Sequence, residues 1–159
     1  MASKAPAKTD AIALLEADHK RVKALFKEAE GIGERAYAAR AKLFEQIDRE
    51  LTIHTKVEEE IFYPAVKAKT SAHTEQRDDV WEAYEEHAGA KELIAKLEEL
   101  DPKDETYKAK LNVLMEQVTH HVKEEESHFF PECRKLLSRD ELNDLGARIL
   151  QMKEAQGAA

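Results

Sequence analysis

Four long stretches of apolar residues at three- and four-residue spacing constrain the fold of this 159-residue chain more than any other feature of its sequence. Such spacing places the apolar side chains on one face of an α-helix. Only five glycines and four prolines interrupt the chain, and short connections let each helix reach only the near end of its neighbour. The sequence therefore predicts an all-α fold, with an up-down-up-down antiparallel four-helix bundle over residues 9–137.

The two ends of the chain differ from this pattern. Residues 1–8 are small, basic and without periodicity, which predicts a flexible tail. Ser138 is followed three residues later by Glu141, which has the form of a capping box and predicts a short fifth helix within residues 138–159. Inside the bundle, we expect Pro64 to kink or interrupt the second helix and Pro102 to lie in the first turn of the fourth.

Charge and composition exclude several classes of protein. A formal net charge of -8 opposes a role in binding nucleic acid, which needs a basic surface to neutralise phosphates. The single cysteine, Cys133, excludes an internal disulfide framework and a thiolate metal cage. No apolar run is long enough for a membrane span, and the first ten residues lack the apolar core of a signal peptide. We therefore expect a soluble, cytoplasmic protein without a membrane partner.

An internal repeat becomes visible when the chain is shifted by 67 or 68 residues. The pair Asp18-His19 then falls on Glu86-His87. The segment from His54 to Pro64 falls on residues 121–131, which carry the same histidine, glutamate, aromatic and proline positions. The bundle should therefore consist of two pseudo-equivalent helix pairs.

Polar residues interrupt the apolar stripes at matching places in the two halves. Their burial would cost several kcal/mol per charge unless a cation or hydrogen bonds compensate. Imidazole and carboxylate donors without a thiolate suit iron or zinc and, less well, manganese. Two carboxylates able to bridge favour two metal ions, and a metal-free polar core is the alternative. The predicted metal ligands are His19, His54, Glu58, His87, His121 and Glu125.

Over about residues 10–137 these duplicated motifs resemble the hemerythrins and, more closely, the wider group of hemerythrin-like HHE cation-binding domains. The resemblance implies a four-helix bundle around a non-haem di-iron centre. It implies histidines as terminal ligands, two bridging carboxylates and a solvent-derived oxo or hydroxo bridge, with the six residues above in the matching places. Zinc or manganese are possible substitutes for the two iron ions.

The sequence departs from the oxygen-carrying hemerythrins at two positions. Those proteins have a fifth histidine and an aspartate where this chain has Ala83 and Glu126. Fewer protein ligands leave more open positions on the metals, which favours binding or turnover of dioxygen, peroxide or nitric oxide over simple oxygen carriage. A non-catalytic sensor or storage module for oxygen or iron is the alternative, and whether the protein is an enzyme stays open.

Further residues near the motifs allow more than one interpretation. Tyr84 fits an additional ligand, a hydrogen-bond donor to a ligand, or an ordinary core tyrosine. His128 completes a Glu-x-x-His spacing of the kind found in ferritin-like sites, a rival geometry, but it is better interpreted as support or packing. The sequence predicts that Tyr63 packs in the core and that Glu59 and Glu126 lie on a solvated face.

Overall fold

The computed structural model describes residues 9–157, so the predicted tail at residues 1–8 lies outside the described residues. Every regular element in the described part of the chain is helical, which confirms the all-α prediction. Seven α-helices and two π-helical turns follow one another along the chain. They are α1 (Ala11–Glu30), α2 (Tyr37–Val57), a π turn (Glu58–Phe62), α3 (Tyr63–Ala68), α4 (Glu75–Glu99), α5 (Tyr107–Glu124), a second π turn (Glu125–Phe129), α6 (Phe130–Leu136) and α7 (Arg139–Ala155).

Helices α1, α2, α4 and α5 form the predicted four-helix bundle. Helix α1 packs on α2, and α4 packs on α5, so each half of the sequence repeat makes one helix pair. The α3 and α6 segments prolong α2 and α5 beyond the π turns. None of the described helices is both long and apolar enough to cross a membrane.

Each proline of the repeat is accommodated by a π turn directly before it. Proline lacks an N–H group and its ring clashes with the carbonyl four residues earlier. The Tyr63 and Phe130 amides, which precede the prolines, instead donate to the carbonyls of Glu58 and Glu125, five residues back. The prediction that Pro64 interrupts the helix is correct in this form, since the chain keeps its direction while its register shifts by one residue.

Helix α5 begins later than predicted, because Pro102 lies in a series of turns outside the helix. The Asp101 carboxylate accepts a hydrogen bond from the Lys103 amide, and Asp104 accepts one from Thr106, each at 2.8 Å. These short side chains satisfy the amides without a helix, which delays the first helical residue to Tyr107.

Helix α7 is 17 residues long and begins at the predicted capping box, in which Ser138 and Glu141 bond reciprocally. It packs against α1 and adds Leu142, Leu145 and Ile149 to the core. A Cβ atom at Gly146 would clash with the Thr9 carbonyl oxygen, so only glycine permits this close approach to the start of α1.

A layer of buried polar side chains divides the apolar core into two clusters. One cluster surrounds Phe62, Phe129 and Phe130 and includes the buried face of α7. The other lies in the opposite half of the bundle, around Phe44 and Tyr107. The interruptions in the apolar stripes therefore form one continuous layer across the bundle.

Candidate metal centre

The structure brings together all six residues that the sequence predicts as metal ligands. Each is at least nine-tenths buried, and they come from α1, α2, α4, α5 and the first residue of each π turn. An i,i+4 spacing places His54 beside Glu58 and His121 beside Glu125 on one helical face. Their role as ligands is a prediction that the geometry makes chemically reasonable.

The six side chains form two clusters of two histidines and one glutamate. The donor atoms within each cluster lie within 4.8 Å of one another. The first cluster consists of His19, His54 and Glu125, and the second consists of His87, His121 and Glu58. The sequence repeat converts each cluster into the other, so each half of the chain supplies two histidines to one cluster and a glutamate to its counterpart.

Each glutamate lies between a histidine of one cluster and a histidine of the other. Glu58 Oε1 is 2.9 Å from His54 Nε2 and 3.4 Å from His87 Nε2. Glu125 Oε1 is 3.3 Å from His19 Nε2 and 3.2 Å from His121 Nε2. Both carboxylates are therefore placed where they can bridge two ions.

Several of the nitrogen and oxygen atoms that could bind a metal ion have no hydrogen-bond partner among the described residues. They are His19 Nε2, His54 Nε2, both carboxylate oxygens of Glu58 and Oε1 of Glu125. Unpartnered polar atoms in a protein interior are costly, typically about 1–3 kcal/mol each. Cations bound between these atoms would satisfy them together, so the donor set fits metal ions.

On the side away from the centre, a carboxylate lies near the second ring nitrogen of each histidine in the first cluster. His54 Nδ1 is 2.8 Å from Asp18 Oδ2, and His19 Nδ1 is 3.0 Å from Glu126 Oε1. A carboxylate in this position favours the tautomer with the proton on Nδ1 and leaves Nε2 free to bind a metal.

The second cluster repeats this arrangement at slightly longer distances. His87 Nδ1 is 3.5 Å from Glu59 Oε1, and His121 Nδ1 is 3.4 Å from Glu86 Oε1. The prediction that Glu59 and Glu126 only cover a solvated face was wrong, because the π turns rotate these residues towards the histidines. The signal was present in the repeat, which aligns Glu59 with Glu126.

Opposite charges shift the pKa values of these buried groups more than desolvation does. Burial alone would lower the pKa of His54, but the nearby charge of Glu58 and the hydrogen bond with Asp18 raise it to about 10. Burial alone would raise the pKa of Glu58, but the nearby charges of His54 and His87 hold it well below its ordinary value. The centre therefore holds its carboxylates in the ionised form that binds cations.

Tyr63 is the tyrosine that reaches the centre, although its position in the sequence predicts only core packing. Its hydroxyl donates a 2.8 Å hydrogen bond to Glu125 Oε2 and lies 3.4 Å from His87 Nε2. Burial and the charges of Glu125 and Glu58 raise the Tyr63 pKa well above its ordinary value. The register shift before Pro64, which helical periodicity alone does not reveal, places this hydroxyl at the centre.

Tyr84 and His128, whose roles the sequence left open, do not reach the six donors. The Tyr84 hydroxyl donates to the backbone carbonyl of Glu59 at 3.4 Å. His128 is half exposed and pairs with Glu75 at 3.1 Å. The ferritin-like rival geometry, which needs the histidine three residues after Glu125 at the centre, is therefore not formed.

An apolar cavity of about 370 Å³ lies between α2 and α4 and reaches the four histidines. Its walls include Val22, Leu51, Ile94 and Val118. Such a cavity exceeds the space that one water molecule needs, so small neutral molecules have room to approach the centre.

Comparison with known proteins gives one family and two individual relatives. A DNA nickase from Nostoc sp. is 30% identical over 128 residues, which are 80% of this chain and 34% of the relative. The chain thus spans about one third of that protein's length. The crystal structure of a hemerythrin HHE cation binding domain-containing protein from Mycobacterium kansasii matches with a TM-score of 0.78 and 23% identity, over 94% of this chain and 88% of that chain. The family model for the hemerythrin HHE cation binding domain matches residues 10–133.

Proposed function

We propose that this chain, which belongs to the hemerythrin HHE cation-binding domain family, holds two iron ions and binds or reacts with dioxygen, peroxide or nitric oxide. One iron would be held by His19, His54 and Glu125. The other would be held by the second cluster described above, with both glutamates shared between the ions.

The observation that carries this proposal is the pair of buried, repeat-related clusters whose donor atoms lack other partners. Two carboxylates and four imidazoles without a thiolate suit iron, and zinc or manganese are alternatives. Three protein donors in each cluster leave positions on each ion for an exogenous ligand.

Iron at this centre supplies redox chemistry for a small oxidant or diatomic ligand, and the surrounding protein controls access, orientation and protons. Phe62, Phe129 and Phe130 pack beside the centre and exclude water from one side. Phe130 stacks on the His19 ring at 5.7 Å, which fixes the orientation of that ring. The Tyr63 hydroxyl holds a proton at Glu125 Oε2.

The apolar cavity supports a small, neutral ligand. An apolar wall favours molecules such as dioxygen or nitric oxide over ions, because charged groups lose hydration when they enter it. The formal net charge of -8 opposes contact with a phosphate backbone, which disfavours for this chain the nickase activity named for the Nostoc relative.

Metal content tests the centre. We expect two iron atoms per chain after purification from iron-supplemented cells, measured by mass spectrometry. The His54→Ala/His121→Ala double variant should lose this iron, whereas His120→Ala, which removes an exposed neighbour, should retain it. Fewer than one iron per chain in the unmodified protein, or full occupancy in the double variant, would contradict the assignment.

Optical spectra of the reduced protein test its reactivity. Rapid autoxidation with consumption of added peroxide would support an oxidoreductase. A stable adduct with dioxygen that reverses under vacuum would instead support the alternative, an oxygen sensor or storage module. Spectra that do not change with dioxygen, peroxide or nitric oxide would contradict both forms of the proposal.

A further inference from the structure

A second opening reaches the centre through a different face of the bundle from the apolar cavity. It is a groove of about 990 Å³ between α4 and the C-terminal half of α5, which we call the acidic groove. Ala83, His120 and Trp81 form part of its walls, and His121 and Glu125 lie on its floor. The two openings share Glu86 and His121 and differ in the chemistry of their other walls.

The walls of the acidic groove are strongly electronegative. Among the described residues that line it there is no lysine or arginine. A concave surface lined by one sign of charge concentrates ions of the opposite sign and accelerates their association. The carboxylates along its walls are Asp79, Glu82, Glu85, Glu86 and Glu124.

A carboxylate with an unpartnered oxygen lies at the floor of this groove. Glu125 is 3% exposed, and its Oε1 atom has no hydrogen-bond partner among the described residues. His121, which is 8% exposed, also lines the floor. The acidic walls therefore lead directly to side chains of the centre.

The mouth of the apolar cavity has a different charge pattern. It carries Lys56 and Lys91 together with the carboxylates of Glu59, Glu60 and Glu98, and it shares Glu86 with the acidic groove. Lys91 Nζ lies 2.6 Å from Glu59 Oε2, so one of these carboxylates is already neutralised by a close ion pair. This mixed surface attracts a free cation less than the acidic groove does.

We propose that ferrous iron enters the centre through the acidic groove between α4 and α5, while neutral ligands enter through the apolar cavity. This inference rests on the proposed function, because it concerns the supply of metal to the same six residues. It assigns a role in metal loading to Glu82 and Glu124, two exposed residues outside the centre.

The test measures the rate at which ferrous iron loads the metal-depleted protein under argon at low ionic strength. Unbound iron is captured by a chromogenic chelator at timed intervals. We expect Glu82→Gln/Glu124→Gln to load at least about fivefold more slowly, since steering by a charged cleft changes association rates by about 10-fold to 1000-fold. Iron per chain at equilibrium and the thermal midpoint should be unchanged.

A matched variant distinguishes the two openings. Glu60→Gln/Glu98→Gln makes the same change in charge at the mouth of the apolar cavity and should load within about twofold of the unmodified rate, because its carboxylates lie outside the groove that focuses cations. At 0.5 M salt the difference between the two double variants should shrink, because ions screen the carboxylates.

Two results would overturn the proposed route. Equal loading rates in all three proteins, or an equal slowing in both double variants, would exclude the acidic groove as the entry path. If the unmodified protein reaches two irons per chain in that experiment, the centre itself stands and only the route is wrong. Less than one iron per chain after prolonged incubation would overturn the proposed function as well.

Discussion

Each half of the bundle supplies two histidines and one glutamate to the centre, but the halves differ in what lies behind these residues. In the first half, Asp18 supports His54 and is itself bound by Lys153 of α7 and by Arg21 of α1. In the second half, Glu86 supports His121, and its side chain is 37% exposed in the acidic groove. The equivalent residue is thus closed off in one half and open to solvent in the other.

This difference originates in a segment that the repeat does not contain. Helix α7 packs on α1 and covers the first half of the bundle, and it has no counterpart over α4 and α5 in the described chain. Duplication accounts for the matching donors, whereas the single C-terminal helix makes the surroundings of the two clusters unequal.

The largest effect should follow from removing the charge of Asp18. Asp18 is 1% exposed, and Asp18→Asn would leave Lys153, whose side chain is 13% exposed, without its counterion. Breaking a buried ion pair at one partner costs about 3–5 kcal/mol, and we expect a loss near the lower end in urea unfolding. The matched change Glu86→Gln should cost less than about 1 kcal/mol, because its partner interaction is long and solvated.

A second substitution shows whether Lys153 accounts for this loss. Lys153→Met in the Asp18→Asn background should cost little further, since the two residues act as one pair. Equal losses from Asp18→Asn and Glu86→Gln would contradict the inequality of the two halves.

Much of this centre could be predicted from the sequence, because its donors follow the periodicity of helices. His19, His54, His87 and His121 occupy positions in apolar stripes, and residues at such spacing face the same core in any antiparallel bundle. The duplication then pairs them across the two halves. These features depend only on local spacing, so the structure brings the predicted residues together.

The residues that were missed depend on a change in helical period. Each π turn adds one residue before a proline, and this shift directs Tyr63 and Glu126 towards the centre. The contact between Lys153 and Asp18 spans 135 positions in the sequence and follows from the packing of α7. Periodicity carries no information on either effect, so it could not predict these contacts.

The second prediction concerns Tyr63, a repeat position that is a tyrosine in the first half and a phenylalanine in the second. Tyr63 donates to Glu125 Oε2, whereas the repeat places Phe130 in the equivalent position, and Glu58 Oε2 has no partner among the described residues. Tyr63→Phe leaves a charged acceptor without its donor, which costs about 2 kcal/mol. Urea unfolding of the purified protein measures this loss.

The reciprocal substitution sharpens the comparison between the halves. By the symmetry of the repeat, Phe130→Tyr would direct a hydroxyl towards Glu58 Oε2. The Tyr63→Phe/Phe130→Tyr double variant should therefore be more stable than Tyr63→Phe alone. A double variant that is less stable would mean that the pocket around Phe130 cannot hold a hydroxyl and that the halves differ in shape as well as in sequence.

The smallest effect concerns two surface carboxylates that accept backbone hydrogen bonds near the start of a helix, Glu141 at α7 and Asp104 before α5. The Glu141 carboxylate accepts a hydrogen bond from the Ser138 amide and lies 2.7 Å from the Lys69 ammonium. The hydrogen bonds from Lys69 and Ser138 together lower the Glu141 pKa to about 2. A carboxylate whose pKa is lowered in the folded protein stabilises the fold at pH values above its pKa in the unfolded chain, which is 4.5 here. This contribution is lost as the pH falls towards 2.

Glu141→Gln keeps an oxygen that can accept from Ser138 but removes the charge. The urea midpoint of this variant should therefore be slightly lower than that of the unmodified protein at pH 7, and the two midpoints should converge near pH 2. Asp104→Asn is the matched change before α5. Hydrogen bonds from Thr106 and the more distant charge of Lys110 lower the Asp104 pKa. None of the described lysines forms a close ion pair with Asp104, so the effect of this change should be smaller. A difference for Glu141→Gln that is the same at pH 7 and pH 2.5 would show that its charge does not help to fasten α7 to the first half of the bundle.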